Sequence, residues 1–228
     1  MKRILVTLSQ KWPDYLLEIL VITFGILGAF ALNNWNENRK LSNKEQELLQ
    51  ELKESLVESK GELERTIRIN QTKLEDLRYI LGQVEKDAPY DPKMDTIFVN
   101  INTWISPFLK STAYENLKSV GIDIVTNKEL KRALTNLYDY EFPLLVEDYD
   151  KTEWMNAETL TYPYFNRRLR YLSKGVARPT DFESMKNDPE FLNILSNTMR
   201  YREGGIRLCN LTVQKVNQVI SLINSELE

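Results

Sequence analysis

A run of apolar residues near the amino terminus is the strongest feature of the hydropathy pattern. Within residues 15–32 the only ionisable side chain is Glu18, and the chain from Ile19 to Leu32 is uncharged. As a helix this run spans roughly 27 Å, which matches the hydrocarbon core of a bilayer. A buried helix of a soluble protein would show a polar face, and this run has none after Glu18. The pattern predicts a transmembrane helix over residues 15–32, preceded by a short tail, residues 1–14.

A cleavable signal peptide is the main alternative for this segment. Lys2 and Arg3 give it a basic start, and Ala29-Phe30-Ala31 resembles a small-x-small cleavage site. The stretch before the uncharged part of the run is long for the basic start of a signal peptide and contains Trp12, Pro13, Asp14 and Glu18. Aromatic residues also bracket the run, as interfacial anchors of a membrane helix do; they are Trp12, Tyr15 and Trp35. These features favour an uncleaved anchor.

One face of the predicted span carries small residues together with the single carboxylate. Four residues lie within about 60° of one another on a helical projection, and we name them the span stripe: Glu18, Ile22, Gly25 and Ala29. Gly25 and Ala29 have the spacing that lets two helix backbones approach closely in lipid. The stripe therefore predicts self-association or docking on another membrane protein. The alternative is that Glu18 reaches the headgroups and Gly25 is incidental.

A second hydrophobic pattern continues beyond the span to about residue 88. Its members recur every seven residues and all but one are apolar; they are Leu49, Leu56, Leu63, Asn70, Leu77 and Val84. This repeat predicts one long amphipathic helix over residues 33–88, of the kind found in coiled coils and bundles. The polar member, Asn70, either sets the register between two chains or forms hydrogen bonds inside its own bundle.

Residues 89–228 also show helical periodicity and helix-end signals. Asp188-Pro189 is typical of a helix start, and Thr-x-x-Glu segments that fit a capping box begin at Thr112, Thr126 and Thr180. Pro143 and Pro163 predict kinks or breaks, and Gly204-Gly205 predicts a bend or local unwinding in the last helix. No segment alternates convincingly with the period of a strand. The predicted fold class is all-α, with one N-terminal transmembrane helix followed by a long-helix, coiled-coil-like bundle.

The composition excludes several kinds of catalytic, metal-binding and nucleic-acid-binding site. The chain has 228 residues with a formal net charge of −3, which argues against a nucleic-acid binder that works by bulk electrostatics. It has no histidine, which excludes Ser-His-Asp hydrolysis and His-ligated zinc, and one cysteine, which excludes an internal disulfide. Cys209 is interpreted as a small core residue. The sequence predicts no cofactor, no metal site and no catalytic residue, so the protein is expected not to be an enzyme.

Two charged clusters could carry function. The basic segment, defined as Arg167, Arg168, Arg170, Lys174 and Arg178, is interleaved with aromatic residues. It suits anionic headgroups or an acidic partner, although pairing with acidic side chains of the same chain is the preferred interpretation. The densest acidic group lacks the spacing of a calcium loop and is interpreted as a solvated helix face; its members are Glu147, Asp148, Asp150 and Glu153.

Two stretches resemble one sequence family. The first contains Glu18, Gly25-Ile26-Leu27 and the run from Asn33 to Lys40, which reads NNWNENRK. The second runs from Ser111 to Ser119 and reads STAYENLKS, with Asn127-Lys128-Glu129-Leu130 after it. Together they resemble a large bacterial family of uncharacterised single-span membrane proteins. The resemblance implies an uncleaved span and adds no catalytic residue.

These patterns predict a membrane-anchored, non-enzymatic helical module that assembles with itself or with another membrane protein. The alternative is a sensor-like domain that binds a ligand and signals through a partner protein. The expected location is the bacterial inner membrane, with a single pass. Three basic residues lie on each side of the span, so the positive-inside rule hardly decides its orientation. The short leading tail favours a cytoplasmic amino terminus and a helical domain outside.

Overall fold

The structure, a computed structural model, describes residues 12–101 and 103–228, and at positions 13–15 it describes the backbone alone. The chain divides into two units, one that ends at Glu47 and one that runs from Leu48 to Glu228. The predicted fold class is confirmed, because the described chain is almost entirely helical.

The first and last helices are the longest elements. Helix α1 is Trp12–Glu85, and it supplies residues 12–47 to the first unit and 48–85 to the second. The other elements follow in order: α2 Met94–Asn100, α3 Thr112–Val120, a 3-10 turn Ile122–Ile124, α4 Lys128–Asn136, α5 Asp150–Asn156, α6 Tyr162–Arg168, β1 Leu169–Ser173, β2 Val176–Pro179, α7 Phe182–Lys186 and α8 Pro189–Leu227.

The chain stays helical from Lys128 to Arg168 because wide turns join α4, α5 and α6. These π turns are Leu137–Glu141, Leu144–Tyr149 and Ala157–Thr161. Pro143 lies between the first two, and Pro163 lies in the first turn of α6, directly after the third. A proline lacks the N–H that an α-helix needs, and a wider turn lets the chain continue around the missing bond. The disturbance predicted at each proline therefore takes the form of π turns, not of a break.

Side chains capping the helix starts explain where several elements begin. Asp188 accepts a hydrogen bond from the Glu190 N–H at the start of α8, as predicted. At two predicted capping boxes the cap lies one residue later: Asn127 caps α4 and Asp181 caps α7. Asparagine and aspartate cap at least as well as threonine, and here each displaces the threonine that precedes it.

The hydrophobic interior of the second unit consists of two clusters. The larger cluster packs residues 48–74 of α1 against α3, α4 and the last half of α8, and it includes Tyr114 and Cys209. The smaller cluster packs the end of α1 against α2, α6, α7 and the start of α8, and it includes Phe98 and Phe191. Met199 of α8 contacts both clusters. The region between them contains buried polar side chains, which form the site described below.

A small antiparallel hairpin interrupts the helices, and the sequence pattern did not predict it. Strands β1 and β2 pair with Arg170 opposite Arg178, and the turn contains Gly175 at a φ of 88°. Only glycine adopts this left-handed conformation without strain. The two strands are too short for an alternating pattern to stand out.

The local unwinding predicted as one form of disturbance at Gly204-Gly205 is wrong, because α8 passes through both glycines without interruption. The aromatic rings of Trp104 and Tyr149 occupy the space that a Cβ on Gly205 would need. This close approach of two rings is what requires glycine there.

Candidate functional site

The predicted span lies in the first unit as a fully exposed apolar helix. Among the described residues, one helix is long and apolar enough to cross a membrane, with an 18-residue window of mean hydropathy 2.1 and no part of it buried. The span stripe has no partner in the described chain: Gly25 has no side chain or distant backbone within 4 Å of where a Cβ would lie. The structure therefore leaves the stripe free for contacts with lipid or another span.

Two of the three predicted interfacial anchors, Trp12 and Trp35, have exposed side chains. Trp12 and Trp35 are exposed, at 63% and 62%. The guanidinium of Arg39 lies 5.8 Å from the centre of the Trp35 ring, a cation–π contact on the carboxyl side of the span. The side chain of Tyr15, the third predicted anchor, lies outside the described residues.

The basic segment spans the end of α6 and both strands of the hairpin, and its arginines fall into two groups. Arg178 forms a two-pronged contact with the buried carboxylate of Asp95, at 3.0 Å from Nε and 2.5 Å from Nη2. Arg178 therefore holds the pKa of Asp95 below its usual value. The Tyr90 hydroxyl also donates to Asp95. This arginine ties β2 to α2 within the chain, as the preferred interpretation of the segment predicts.

Arg168 is the second internally paired member of the basic segment. Its Nη2 lies 3.2 Å from Asp188, which also accepts a hydrogen bond of 2.9 Å from the Tyr164 hydroxyl. The Tyr164 hydrogen bond and the Arg168 charge hold the pKa of Asp188 below its usual value. Since Asp188 is also the N-cap of α8, this contact joins the end of α6 to the start of the last helix.

The other members of the basic segment stay exposed at the surface. The side chains of Arg167, Arg170 and Lys174 form no hydrogen bond or ion pair with the described part of the chain. Tyr171 and Leu172, beside them on β1, are 54% and 46% exposed. The segment is thus a pairing site at two arginines and an unpaired basic surface at the remaining three residues.

Asn70 of α1 lies at the centre of a buried polar cluster in the second unit. Its amide nitrogen donates to the Ile105 carbonyl at 2.9 Å, and its amide oxygen accepts from the Ile105 N–H at 3.3 Å. The same oxygen accepts a hydrogen bond of 3.1 Å from Arg202 Nη1. The amide is therefore satisfied within one chain, in line with the intramolecular alternative for Asn70.

Arg202 of α8 is the most deeply buried charged residue of the described chain, with 1% of its surface exposed. Its Nη1 donates to Asn70 and to the Thr103 carbonyl, the latter at 2.5 Å. Its guanidinium lies 5.4 Å from the centre of the Trp104 ring. The Nε of Arg202 has no hydrogen-bond partner within the described chain. Burial lowers the pKa of Arg202.

Glu153 of α5 is the carboxylate of this cluster, and it corrects the interpretation of the acidic group as a solvated face. Glu147 and Asp148 are exposed as expected, but only 6% of Glu153 is exposed. The Tyr149 hydroxyl donates to Glu153 at 2.9 Å. Burial raises the pKa of Glu153, and the nearby positive charge of Arg202 opposes that rise. Glu153 lies on the inner face of α5, directly after the wide turn Leu144–Tyr149, whereas its neighbours Thr152 and Trp154 are exposed.

A cavity of about 290 Å³ opens beside Glu153. Its walls include two carboxylates, Asp150 and Glu153, and three aromatic rings, those of Trp104, Trp154 and Tyr162. We name this the acid–aromatic cavity. Asp150 accepts a hydrogen bond of 2.6 Å from the Trp104 indole, and the Trp104 ring meets the Tyr149 ring edge to face at 5.1 Å. The walls are therefore held in place by contacts among themselves.

The described residues contain no group of three or more cysteine, aspartate or glutamate side chains placed to hold a metal ion. Cys209 is fully buried, as predicted, and burial raises the pKa of its thiol to about 12. The charged side chains that we consider for binding lie in the acid–aromatic cavity and in the unpaired part of the basic segment.

Sequence reasoning missed Arg202 and the cavity. Arg202 and Asn70 are 132 positions apart, and no local pattern connects them. One sequence signal was available. Arg202 lies on the apolar face of α8, and Asn70 lies in the apolar series of α1. Two polar side chains on facing apolar stripes indicate a buried pair.

Comparison with known proteins gives a family and no activity. No curated protein and no solved structure matches the chain. Residues 18–194 match a family of unknown function, DUF6090, which agrees with the resemblance to an uncharacterised family. The match covers more than half of the sequence and includes most of α1, the hairpin and the acid–aromatic cavity. The chain belongs to the DUF6090 family, a family of unknown function.

Proposed function

We propose that this protein is a membrane-anchored, non-enzymatic helical module that assembles with itself or with another membrane protein. The observation that carries the proposal is the apolar helix of the first unit, which is entirely exposed. A surface of this size and hydropathy is unfavourable in water and favourable in a bilayer. The aromatic residues at both ends of the run, Trp12 and Trp35, support the anchoring.

The anchoring is tested by charging the span. We expect Phe24→Lys combined with Leu27→Lys to move the full-length protein from the alkali-resistant membrane fraction to the soluble fraction. Each lysine near the centre of a span opposes insertion by about 2.5–3.5 kcal/mol. The matched control, Phe24→Leu with Leu27→Ile, is expected to stay in the membrane. The intact mass of the membrane-bound protein separates an uncleaved anchor from a signal peptide, and loss of residues 1–31 would contradict the proposal.

For orientation and location we propose a single pass through a bacterial inner membrane, with the second unit outside the cytoplasm. Alkaline phosphatase fused after Glu228 is active only where it is exported. Activity of this fusion supports the orientation, and fluorescence of a reporter that matures only in the cytosol contradicts it.

Assembly through the span is the finer part of the proposal. Gly25 and Ala29 leave the backbone of the span stripe accessible, and the described chain supplies nothing that covers it. We expect Gly25→Ile to weaken span association several-fold in a membrane two-hybrid assay, because the new side chain separates the backbones. Gly28→Ile is the matched control, since Gly28 lies about 90° around the helix from the centre of the stripe. Equal effects of the two variants would mean that the stripe is only an anchor.

A ligand-binding sensor domain is the second candidate function. The observation that favours it is the acid–aromatic cavity, in which a buried carboxylate lies close to an arginine without an ion pair between them. Ligand sites in helical bundles lie between helices and combine apolar walls with a few polar groups. The output of such a sensor would pass to a partner protein.

A further inference from the structure

The acid–aromatic cavity has the chemistry of a cation site. The charged residues among its described walls are Asp150 and Glu153, and both are acidic. Its other large walls are the rings of Trp104, Trp154 and Tyr162, whose faces carry the negative part of the aromatic quadrupole. Carboxylates and aromatic faces together attract a cation that also has an apolar body.

We propose that this cavity binds a small organic cation, of the quaternary or substituted ammonium class. The inference rests on the sensor candidate above and names the ligand class of that site. The volume of about 290 Å³ lies at the lower end of the range for small-molecule pockets, about 300–1,000 Å³. A compact ammonium ion with a few carbons suits this volume, whereas a peptide or a nucleotide does not.

The charges around Glu153 favour a ligand that carries one positive charge. Its charged neighbours are the cation Arg202 and the anion Asp150. With both carboxyl groups ionised, the three side chains together keep one negative charge. A monovalent cation in the cavity neutralises that excess, and it offsets the burial that raises the pKa of Glu153.

The geometry of Trp104 shows how the cavity is prepared for this ligand. Asp150 fixes the indole through its N–H, and Tyr149 packs against the ring edge to face. The guanidinium of Arg202 already lies against this ring at 5.4 Å, so the same indole forms a cation–π contact inside the protein. A ring held in this way loses little freedom when a ligand binds.

Trp154 gives the cavity its open side. Trp154 is 57% exposed, and its ring meets the ring of Tyr162 at 6.5 Å, edge to face. A bound cation would cover part of the Trp154 ring, which changes the emission of that tryptophan. The chain has four tryptophans, and replacing Trp12 and Trp35 by phenylalanine leaves the two that line the cavity as reporters.

The experiment titrates this full-length Trp12→Phe, Trp35→Phe protein, in a maltoside detergent, with choline chloride. The neutral probe is 3,3-dimethylbutan-1-ol, which has the shape of choline without its charge, and sodium chloride controls for ionic strength. We expect a saturable change in tryptophan emission with choline. The neutral alcohol is expected to bind more weakly by about tenfold or more, as loss of a desolvated cation–π contact predicts.

Variants assign the binding to the cavity. Glu153→Gln removes the buried charge and is expected to weaken choline binding about tenfold or more, whereas Glu158→Gln, an exposed position one helical turn later, leaves it unchanged. Trp154→Leu acts at an exposed position, so it keeps the fold and removes one wall. Because it also removes one reporter, its choline binding is measured by isothermal titration calorimetry and is expected to weaken several-fold. If Glu153→Gln fails to fold, this measurement decides, and unchanged affinity of Trp154→Leu for choline would contradict the proposal.

Three results would overturn the proposal: no saturable response to choline, equal affinity for the neutral alcohol, or equal effects of Glu153→Gln and Glu158→Gln. None of these results bears on the alkali-extraction test, which depends on the first unit. A protein that stays in the membrane and ignores choline refutes the ligand class and leaves the anchored module standing.

Discussion

Asn70→Leu is expected to lower the free energy of unfolding by about 3 kcal/mol. Leucine has nearly the same shape, but it leaves the Ile105 N–H, the Ile105 carbonyl and one hydrogen bond of Arg202 without a partner. Each buried group left unsatisfied costs about 1–3 kcal/mol, which the gain in apolar contact offsets only in part. The expected fall in Tm is about 6–12 °C for a domain of this size, measured by circular dichroism of the full-length protein in mild detergent.

The control for this variant is Asn193→Leu, an exposed asparagine on α8, for which we expect a change within about 0.5 kcal/mol. The oligomeric state measured beside it is expected to stay the same. If Asn70→Leu instead raised the Tm and shifted the oligomer distribution, Asn70 would set the register between chains.

Gly205→Ala is expected to destabilise the protein by about 3 kcal/mol. A Cβ at this position would lie 2.5 and 2.7 Å from two carbons of the Tyr149 ring and against the ring of Trp104. These rings are held by their own contacts, since Trp104 is bound to Asp150 and Tyr149 to Glu153. Neither ring moves without breaking a hydrogen bond, so one methyl group is enough to disturb the site.

The preceding residue supplies the matched control for this change. A Cβ at Gly204 would meet one carbon of Tyr149 at 3.9 Å, an ordinary contact. Gly204→Ala is therefore expected to raise stability by about 0.4–1 kcal/mol, because alanine restricts the unfolded chain. Opposite changes in Tm for two neighbouring glycines would confirm the close approach of the rings, and equal changes would contradict it.

The long helices were the predictable part of the fold. The seven-residue series from Leu49 to Val84 and the Asp188-Pro189 start mark α1 and α8, because side chains on one face of a helix recur with its period and because caps are local signals. The π turns were not predictable in the same way. Each π turn contains more residues than an α-helical turn. After Leu137 the inward-facing residues therefore no longer recur with the regular helical spacing.

The candidate site was less predictable than the helices that carry it. Arg178 lies far from Asp95 in sequence, and the hairpin that brings them together has strands of five and four residues. Glu153 belongs to a dense group of four acidic residues, and no local signal shows that this carboxylate faces inward while Glu147 and Asp148 face solvent. Contacts of this kind follow from tertiary packing and not from any local pattern.

The polar side chains around Asn70 and Arg202 also affect how the second unit opens. They lie where the two hydrophobic clusters meet, and Met199 is a rare apolar side chain that contacts both clusters. A layer of hydrogen bonds transmits cooperativity less well than continuous apolar packing, because its groups can exchange partners with water. The two clusters are therefore expected to open as separate units on a shared pair of helices. We expect amide hydrogen exchange of α2 and the hairpin to proceed through a smaller opening than exchange of α3 and α4.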